Sequence, residues 1–389
     1  MNARRTLLEL FDAALRAVDG RASVVRALRG YPIDSPVALF AIGKAASSMT
    51  LGAFDTLGGR IESALVITKD GHADPALARD HCCTVLQSAH PVPDERSLAA
   101  GDALIERLRA LDARILPLFL VSGGSSSLVE ALHDGFTLED LRALNQRGLA
   151  SGWDICRLNA ERATLSRLKA GGLVRLIGAR RAIALFISDV PGDDVDVIGS
   201  GLAGHDAGRE DAIERRIVAN AESAAIAVTE AARARGLVIE RRETRFDGDA
   251  VDLAHEFVAA LRIMPVDGLV WAGETTVTLP AVVGQGGRNT HLALTAATRL
   301  RATEKFTILA GGTDGSDGTT EDAGAIVDAG TIERAEIGGI DVERALRGFD
   351  SGAALEAAGD LVYTGPTGTN VGDLLIGIRA AATPPGRGP

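Results

Sequence analysis

The 389-residue chain predicts an α/β protein of two domains, the first built on a doubly wound parallel sheet. Three observations predict it. The length exceeds what a single hydrophobic core usually serves. Short apolar runs alternate with helical stretches along the chain. Most of those runs are apolar on both faces, as strands covered by helices on either side must be.

Leu7, Leu8, Leu10, Phe11, Ala14, Leu15 and Val18 recur at helical spacing and are broken by charge, so the start reads as a helix and not as a signal peptide. Val37–Ile42, Ala64–Thr68, Thr84–Gln87, Leu116–Val121 and Ala182–Ile187 read as buried strands bounded by Gly, Pro, Ser and Asp. Asp94–Leu111 reads as a helix, and Thr137-Leu-Glu-Asp140 as the capping signal of another. A helix-rich stretch from Arg209 to Arg235 closes the first domain, which sets the domains at 1–235 and 236–389. Beyond Gly236, strands are expected at Gly268–Ala272, Thr307–Ala310 and Leu361–Tyr363, with connections rich in Gly, Thr and Asp. The tail Thr383–Pro389 is expected to be disordered.

The net charge of −11 argues against a nucleic-acid or anionic-membrane partner, and no uncharged apolar run approaches a membrane span. Cys82, Cys83 and Cys156 are odd in number, two of them adjacent, with no metal-ligand spacing. They read as small buried residues of a reducing, cytoplasmic protein. Lysine is scarce: only Lys44, Lys69, Lys169 and Lys305 interrupt an otherwise arginine-based cation set. A lysine kept in that background points to a need for a compact ammonium.

Chemistry concentrates where strands end. Ala41-Ile-Gly-Lys44 follows the first strand; Lys44 is either a surface lysine at a helix start or a ligand for a phosphate or carboxylate. Ser122-Gly-Gly-Ser-Ser-Ser127 follows another strand. Gly123 and Gly124 let backbone amides converge on an anion, and Ser122, Ser125 and Ser126 add hydroxyls. The alternative is an ordinary serine-capped turn. Asp189, just past Ile187, can take a proton from a substrate hydroxyl or hold Mg²⁺. Asp193 and Asp194 read either as further metal ligands or as solvated turn residues. Arg288, after Gly284-Gln-Gly-Gly287, heads a helix and suits a bidentate carboxylate or a phosphoryl oxygen, unless it is paired to Glu274 for structure. Gly311–Asp322, with Asp314 and Asp317, builds polar loops able to line a cleft or a Mg²⁺ site. Gly199-Ser-Gly-Leu-Ala-Gly204 fits a dinucleotide pattern. No strand runs straight into it and no apolar helix follows, so it is not expected to bind nicotinamide.

In order along the chain, Ala41–Ala45, Ser88–Gly101, Ser122–Leu128, Leu158–Gly172, Ser188–Gly201, Gly273–Asn289, Gly311–Asp328 and Gly365–Asp373 resemble the glycerate 2-kinase family. These are the type II glycerate kinases whose C-terminal part is the MOFRL domain. The resemblance implies a Rossmann-like first domain, a second, smaller α/β domain and an interdomain cleft. It implies ATP, Mg²⁺ and D-glycerate, with Lys44, Asp189 and Arg288 as the polar core of the site. It adds Lys169 to the phosphate set and His90, Arg162, Asn289, Thr369 and Asn370 to the lining of the site. Where the family has Gln-Glu after Gly-Gly-Arg-Asn, this chain has Thr290-His291. The expected reaction is phosphorylation of D-glycerate to 2-phosphoglycerate. The alternatives are an NAD(P)H-dependent hydroxypyruvate reductase and a silent relative that binds glycerate or nucleotide.

Overall fold

The computed structural model describes residues 2–151, 153, 155–178, 180–206, 212–280 and 282–379. The expected disordered tail and the Cys156 side chain lie outside the described residues. Twelve strands form two six-stranded sheets. In chain order they are β1 (Val37–Ile42), β2 (Ile61–Lys69), β3 (Cys83–Ser88), β4 (Leu116–Val121), β5 (Ala182–Ile187) and β6 (Ile213–Ala219). Then follow β7 (Ile239–Arg241), β8 (Gly268–Gly273), β9 (Phe306–Gly312), β10 (Gly324–Asp328), β11 (Leu361–Val362) and β12 (Asp373–Arg379).

The first sheet has the order β3-β2-β1-β4-β5-β6, and all its pairings are parallel. This is the Rossmann-like arrangement, in which the strand order reverses between β1 and β4. Every residue of β1 and β5 is buried, so apolar side chains on both faces are the reason these segments become central strands. Phe40 of β1 stacks on Phe119 of β4 at 5.4 Å, and helix Glu95–Ala110 covers that face with Leu104 and Leu108. Asp94 caps this helix by accepting from Arg96 N–H, at the place where the sequence leads one to expect the helix to begin. The second sheet, β11-β10-β9-β12-β8-β7, is mixed: β7 is parallel to β8, and the remaining pairs are antiparallel.

Two compact units divide the chain differently from the expected break at Gly236. One comprises Val18–Asn220 with Gly368–Val371; the other comprises Met1–Ala17, Ala221–Thr367 and Gly372–Pro389. The reason is packing. Of the expected helical run 209–235, residues 209–211 lie outside the described residues; the rest carries strand β6 followed by helix Ala221–Arg233, and that helix lies on β7 and β8 of the second sheet. The N-terminal helix Ala3–Val18 also joins the second unit, where Arg4 pairs with Asp360 at 2.7 Å.

Cys82 and Cys83 are half-buried free thiols, and burial pushes each up to about 11. Among the described residues no helix is long and apolar enough to cross a membrane.

Candidate functional site

In an open parallel sheet, ligands bind beyond the carboxyl ends of the strands, where the order reverses. Here that place lies after β1 and β4. Gly43 follows β1 with φ of 128°, and a Cβ there would sit 2.2 Å from Ser122 Oγ, so only glycine allows the close approach. Lys44 N–H then donates to Gly123 O at 3.0 Å, and Ala45 N–H donates to the buried Ser122 Oγ at 3.0 Å. These bonds stitch the two strand-end loops together. A Cβ on Gly124 would lie 3.2 Å from both Lys44 Cγ and His90 Cδ2. Gly123 faces Asp189 and Asn370: its Cβ would fall 1.9 Å from Asp189 Oδ2 and 2.0 Å from Asn370 Nδ2. Asn370 Nδ2 donates to Asp189 Oδ2 at 2.8 Å. Lys44, His90, Ser122, Gly123, Gly124, Asp189 and Asn370 thus gather in one place. Lys44, His90, Gly124 and Asp189 are only half-buried.

Other expected members serve the surroundings instead. Ser126 Oγ meets Ser200 Oγ at 2.8 Å, Ser200 donates to Asn159 Oδ1 at 2.9 Å, and Arg162 reaches Asn145 Oδ1 at 2.8 Å. Arg162 is therefore engaged with amide side chains. Ser125 is fully buried, and its Oγ has no hydrogen-bond partner among the described residues. Lys169, expected on phosphate, is corrected: its side chain is 0% exposed and its ammonium lies on Ser126 O and Val129 O at 2.9 and 3.0 Å. Thr369 is corrected likewise, being buried with Oγ1 on Val18 O at 2.7 Å. Asp194 is exposed and accepts Asp196 N–H at 2.9 Å, which makes it a turn residue. Among the described residues no three His, Cys, Asp or Glu side chains cluster as a metal site. A Mg²⁺ held mainly by substrate phosphates asks for only one or two carboxylates, and Asp189 is the carboxylate at these strand ends.

Gly199–Gly204 has no strand leading into it: β5 ended at Ile187, and Ile198–Ser200 is a short 3₁₀ turn. A dinucleotide fingerprint needs a strand running straight into it, and this segment has none.

In the other unit, Arg288 heads helix Arg288–Arg299, as expected. Its Nε lies 2.6 Å from Asp373 Oδ2, and its Nη2 reaches Asp373 Oδ1 and Glu274 Oε1, each at 3.0 Å. Burial alone would lower the Arg288 pKa, but Asp373 and Glu274 outweigh it and raise it. The ion pair with Glu274 is thus present, and Asp373 adds a stronger one. Sequence reasoning missed Asp373, which lies 85 residues away; its signal was a carboxylate directly beside a glycine at a strand end. Asn289 Nδ2 also donates to Asp373 Oδ1 at 3.0 Å.

Asp317, expected to line the site, instead caps this helix. It is 1% exposed and accepts from Asn289 N–H at 2.9 Å and Thr290 N–H at 2.7 Å. Burial pushes its carboxyl up to about 6 against the pull of those amides. Asp314 is also buried and accepts Ser316 N–H at 3.0 Å in a turn. The departures at 290 and 291 have local partners: Thr290 Oγ1 donates to Asp317 Oδ2 at 2.9 Å, and His291 Nδ1 meets Ser351 Oγ at 3.0 Å.

Residues 6–234 match a family described as a domain of unknown function, DUF4147, and residues 268–373 match the MOFRL family. The D-glycerate 2-kinase of Thermotoga maritima is 32% identical, over 96% of this chain and 98% of that protein. The glycerate 2-kinase of Pyrococcus horikoshii is 31% identical, over 97% of this chain and 98% of that one. A protein of Agrobacterium vitis with a provisional hydroxypyruvate reductase name is 34% identical, over 97% and 95%. The crystal structure of a glycerate kinase from Thermotoga maritima aligns with a TM-score of 0.84 at 31% identity, covering 97% of this chain and 99% of that one. With both family parts present in order and near-full-length identity above 30%, the chain belongs to the glycerate 2-kinase family.

Proposed function

We propose that the chain transfers the terminal phosphoryl group of ATP, with Mg²⁺, to the C2 hydroxyl of D-glycerate. The observation that carries this reading is the gathering of Lys44, Gly123, Gly124 and Asp189 at the point where the parallel strand order reverses. Phosphoryl transfer needs alignment and charge neutralisation more than covalent chemistry. Lys44 supplies a compact positive charge to a phosphate oxygen or to the glycerate carboxylate. The Gly123-Gly124 turn lets the transferring group approach the backbone. Asp189, oriented by Asn370, receives the proton of the attacking hydroxyl. A bound Mg²⁺ would neutralise phosphate charge and be held mainly by the substrate phosphates; holding it is the alternative role of Asp189.

Arg288 is assigned to a negative oxygen of the substrates. Asp373 holds its guanidinium in one orientation while Nη1 has no hydrogen-bond partner among the described residues. The relatives named as D-glycerate and glycerate 2-kinases support the acceptor. The reductase reading is the weaker one, because no strand runs straight into its glycine motif.

The test is incubation with MgATP and D-glycerate, with phosphorus NMR of the product. The expected outcome is 2-phosphoglycerate. Formation of 3-phosphoglycerate would move the assignment of the attacking oxygen, and NADH consumption with hydroxypyruvate in place of phosphorylation would replace the reading altogether.

A further inference from the structure

Beneath the Ser122–Val129 segment lies a charged pair sealed from solvent. Lys169 and Glu130 have side chains 0% and 1% exposed, with Nζ 3.9 Å from Oε2. Glu130 Oε1 accepts from Ala131 N–H at 2.9 Å and also from the Ser166 hydroxyl. Ser166 Oγ in turn accepts the N–H groups of Leu168 and Lys169 at 3.1 and 3.2 Å. The network closes on itself, so no ligand reaches the ammonium.

What the ammonium does touch is backbone. Helix Ser125–Leu128 is a single turn, too short to hold its own shape. Its end leaves carbonyls that need donors. Lys169 Nζ donates to two carbonyls at that end, Ser126 O and Val129 O, from inside the protein. Planar peptides make each fixed carbonyl fix the orientation of its whole unit. The turn that begins at Gly123 and Gly124 is thereby held from below.

The unused Gly199–Gly204 motif belongs to the same support. Ala170 N–H donates to Ser200 O at 3.0 Å, and Gly171 N–H to Gly201 O at 2.9 Å. Ser200 Oγ then meets Ser126 Oγ at 2.8 Å. Gly199 has to be glycine, since a Cβ there would lie 2.3 Å from Ser125 Oγ.

We infer that Lys169 is a positioning residue: from beneath, it clamps the Ser122–Val129 turn into the shape that receives the transferring phosphoryl group. The phosphoryl part of this inference rests on the function proposed above, whereas the clamp is a property of the fold. Burial pushes the Lys169 ammonium below the usual lysine range and Glu130 opposes that push, which gives the carboxylate its place in the device.

The test compares wild type, K169M and the double variant K169M/E130Q, which leaves no unpaired charge. Amide hydrogen exchange over Ser122–Val129, kcat and KM, and the unfolding midpoint are measured. In the double variant the midpoint recovers relative to K169M. Exchange in the segment stays about tenfold faster than wild type, and kcat stays about 10²-fold down, as a displacement of about 1 Å would cause. A double variant with wild-type exchange and wild-type kcat would overturn the inference, because Lys169 would then be balancing charge alone. If wild type phosphorylates no glycerate, the proposed function fails, and the exchange arm by itself upholds or overturns the clamp.

Discussion

The strand ends of the parallel sheet and the head of helix Arg288–Arg299 carry similar residues in opposite ways. At the first, glycines make space: Gly43 and Gly123 sit where any side chain would collide with Ser122 or Asp189. The cation and carboxylate there, Lys44 and Asp189, are half-buried. At the second, charges fill the space. Arg288 is locked to Asp373 and Glu274, and Asp317 is consumed by the amides of the helix it caps. A charged residue beside a glycine-rich loop can therefore be consumed by its neighbours, as Asp317 is, or oriented by them, as Arg288 is. What separates the two regions is that in one glycines bring backbone close to the charged groups, whereas in the other carboxylates fix a guanidinium and a helix end.

Substitutions that exchange activity for stability would break that contrast, and the largest effect is expected at Lys44. K44A should slow phosphoryl transfer by about 10²–10³-fold, the loss typical when one donor to developing charge is removed. The variant should still fold, with a cooperative unfolding transition. Near-normal turnover would take Lys44 out of the site. G123A comes next: the added methyl must displace Asp189 or Asn370, and a shift of about 1 Å should reduce kcat about 10²-fold. A crystal structure of G123A with Asp189 and Asn370 both unmoved, or full activity, would contradict the close approach.

In the other region the first-order effect should be on stability. D373N leaves the guanidinium of Arg288 facing a neutral amide, and breaking a largely buried pair costs about 3 kcal/mol. Denaturant unfolding measures this, and a loss below 1 kcal/mol would show that Glu274 suffices to hold Arg288.

The smallest effect concerns pH. Burial holds the His291 imidazole below its ordinary value of 6.5, with Asp249 opposing. As pH falls below about 6.5, the unfolded chain gains a proton there before the folded chain does, so this group makes stability fall with acidification. H291Q should flatten that part of the stability profile. An unchanged slope would assign the acid sensitivity to other groups.

Much of this was legible in the chain because the parallel strands are short, apolar on both faces and end in glycine. β1, β4 and β5 lie where the runs place them, and with them the positions of Lys44, Gly123 and Asp189. β6 was not legible: Arg215 and Arg216 interrupt its apolar pattern, and only their bonds to Ala203 O and Ala27 O show how the strand keeps them. Asp317 and Thr369 read as polar lining because composition tells that a segment is polar, not which backbone groups will claim its side chains.

The order of the segments, their periodicity and the glycines at strand ends are local properties, and by themselves they determined the α/β class, the parallel first sheet and the candidate loops. The tertiary structure alone decided which unit each segment joins, that Lys169 lies beneath the turn and not on a ligand, and that Arg288 is held by Asp373. Those outcomes depend on burial and on partners tens of residues apart, and such energies come into being only when distant strands and helices pack.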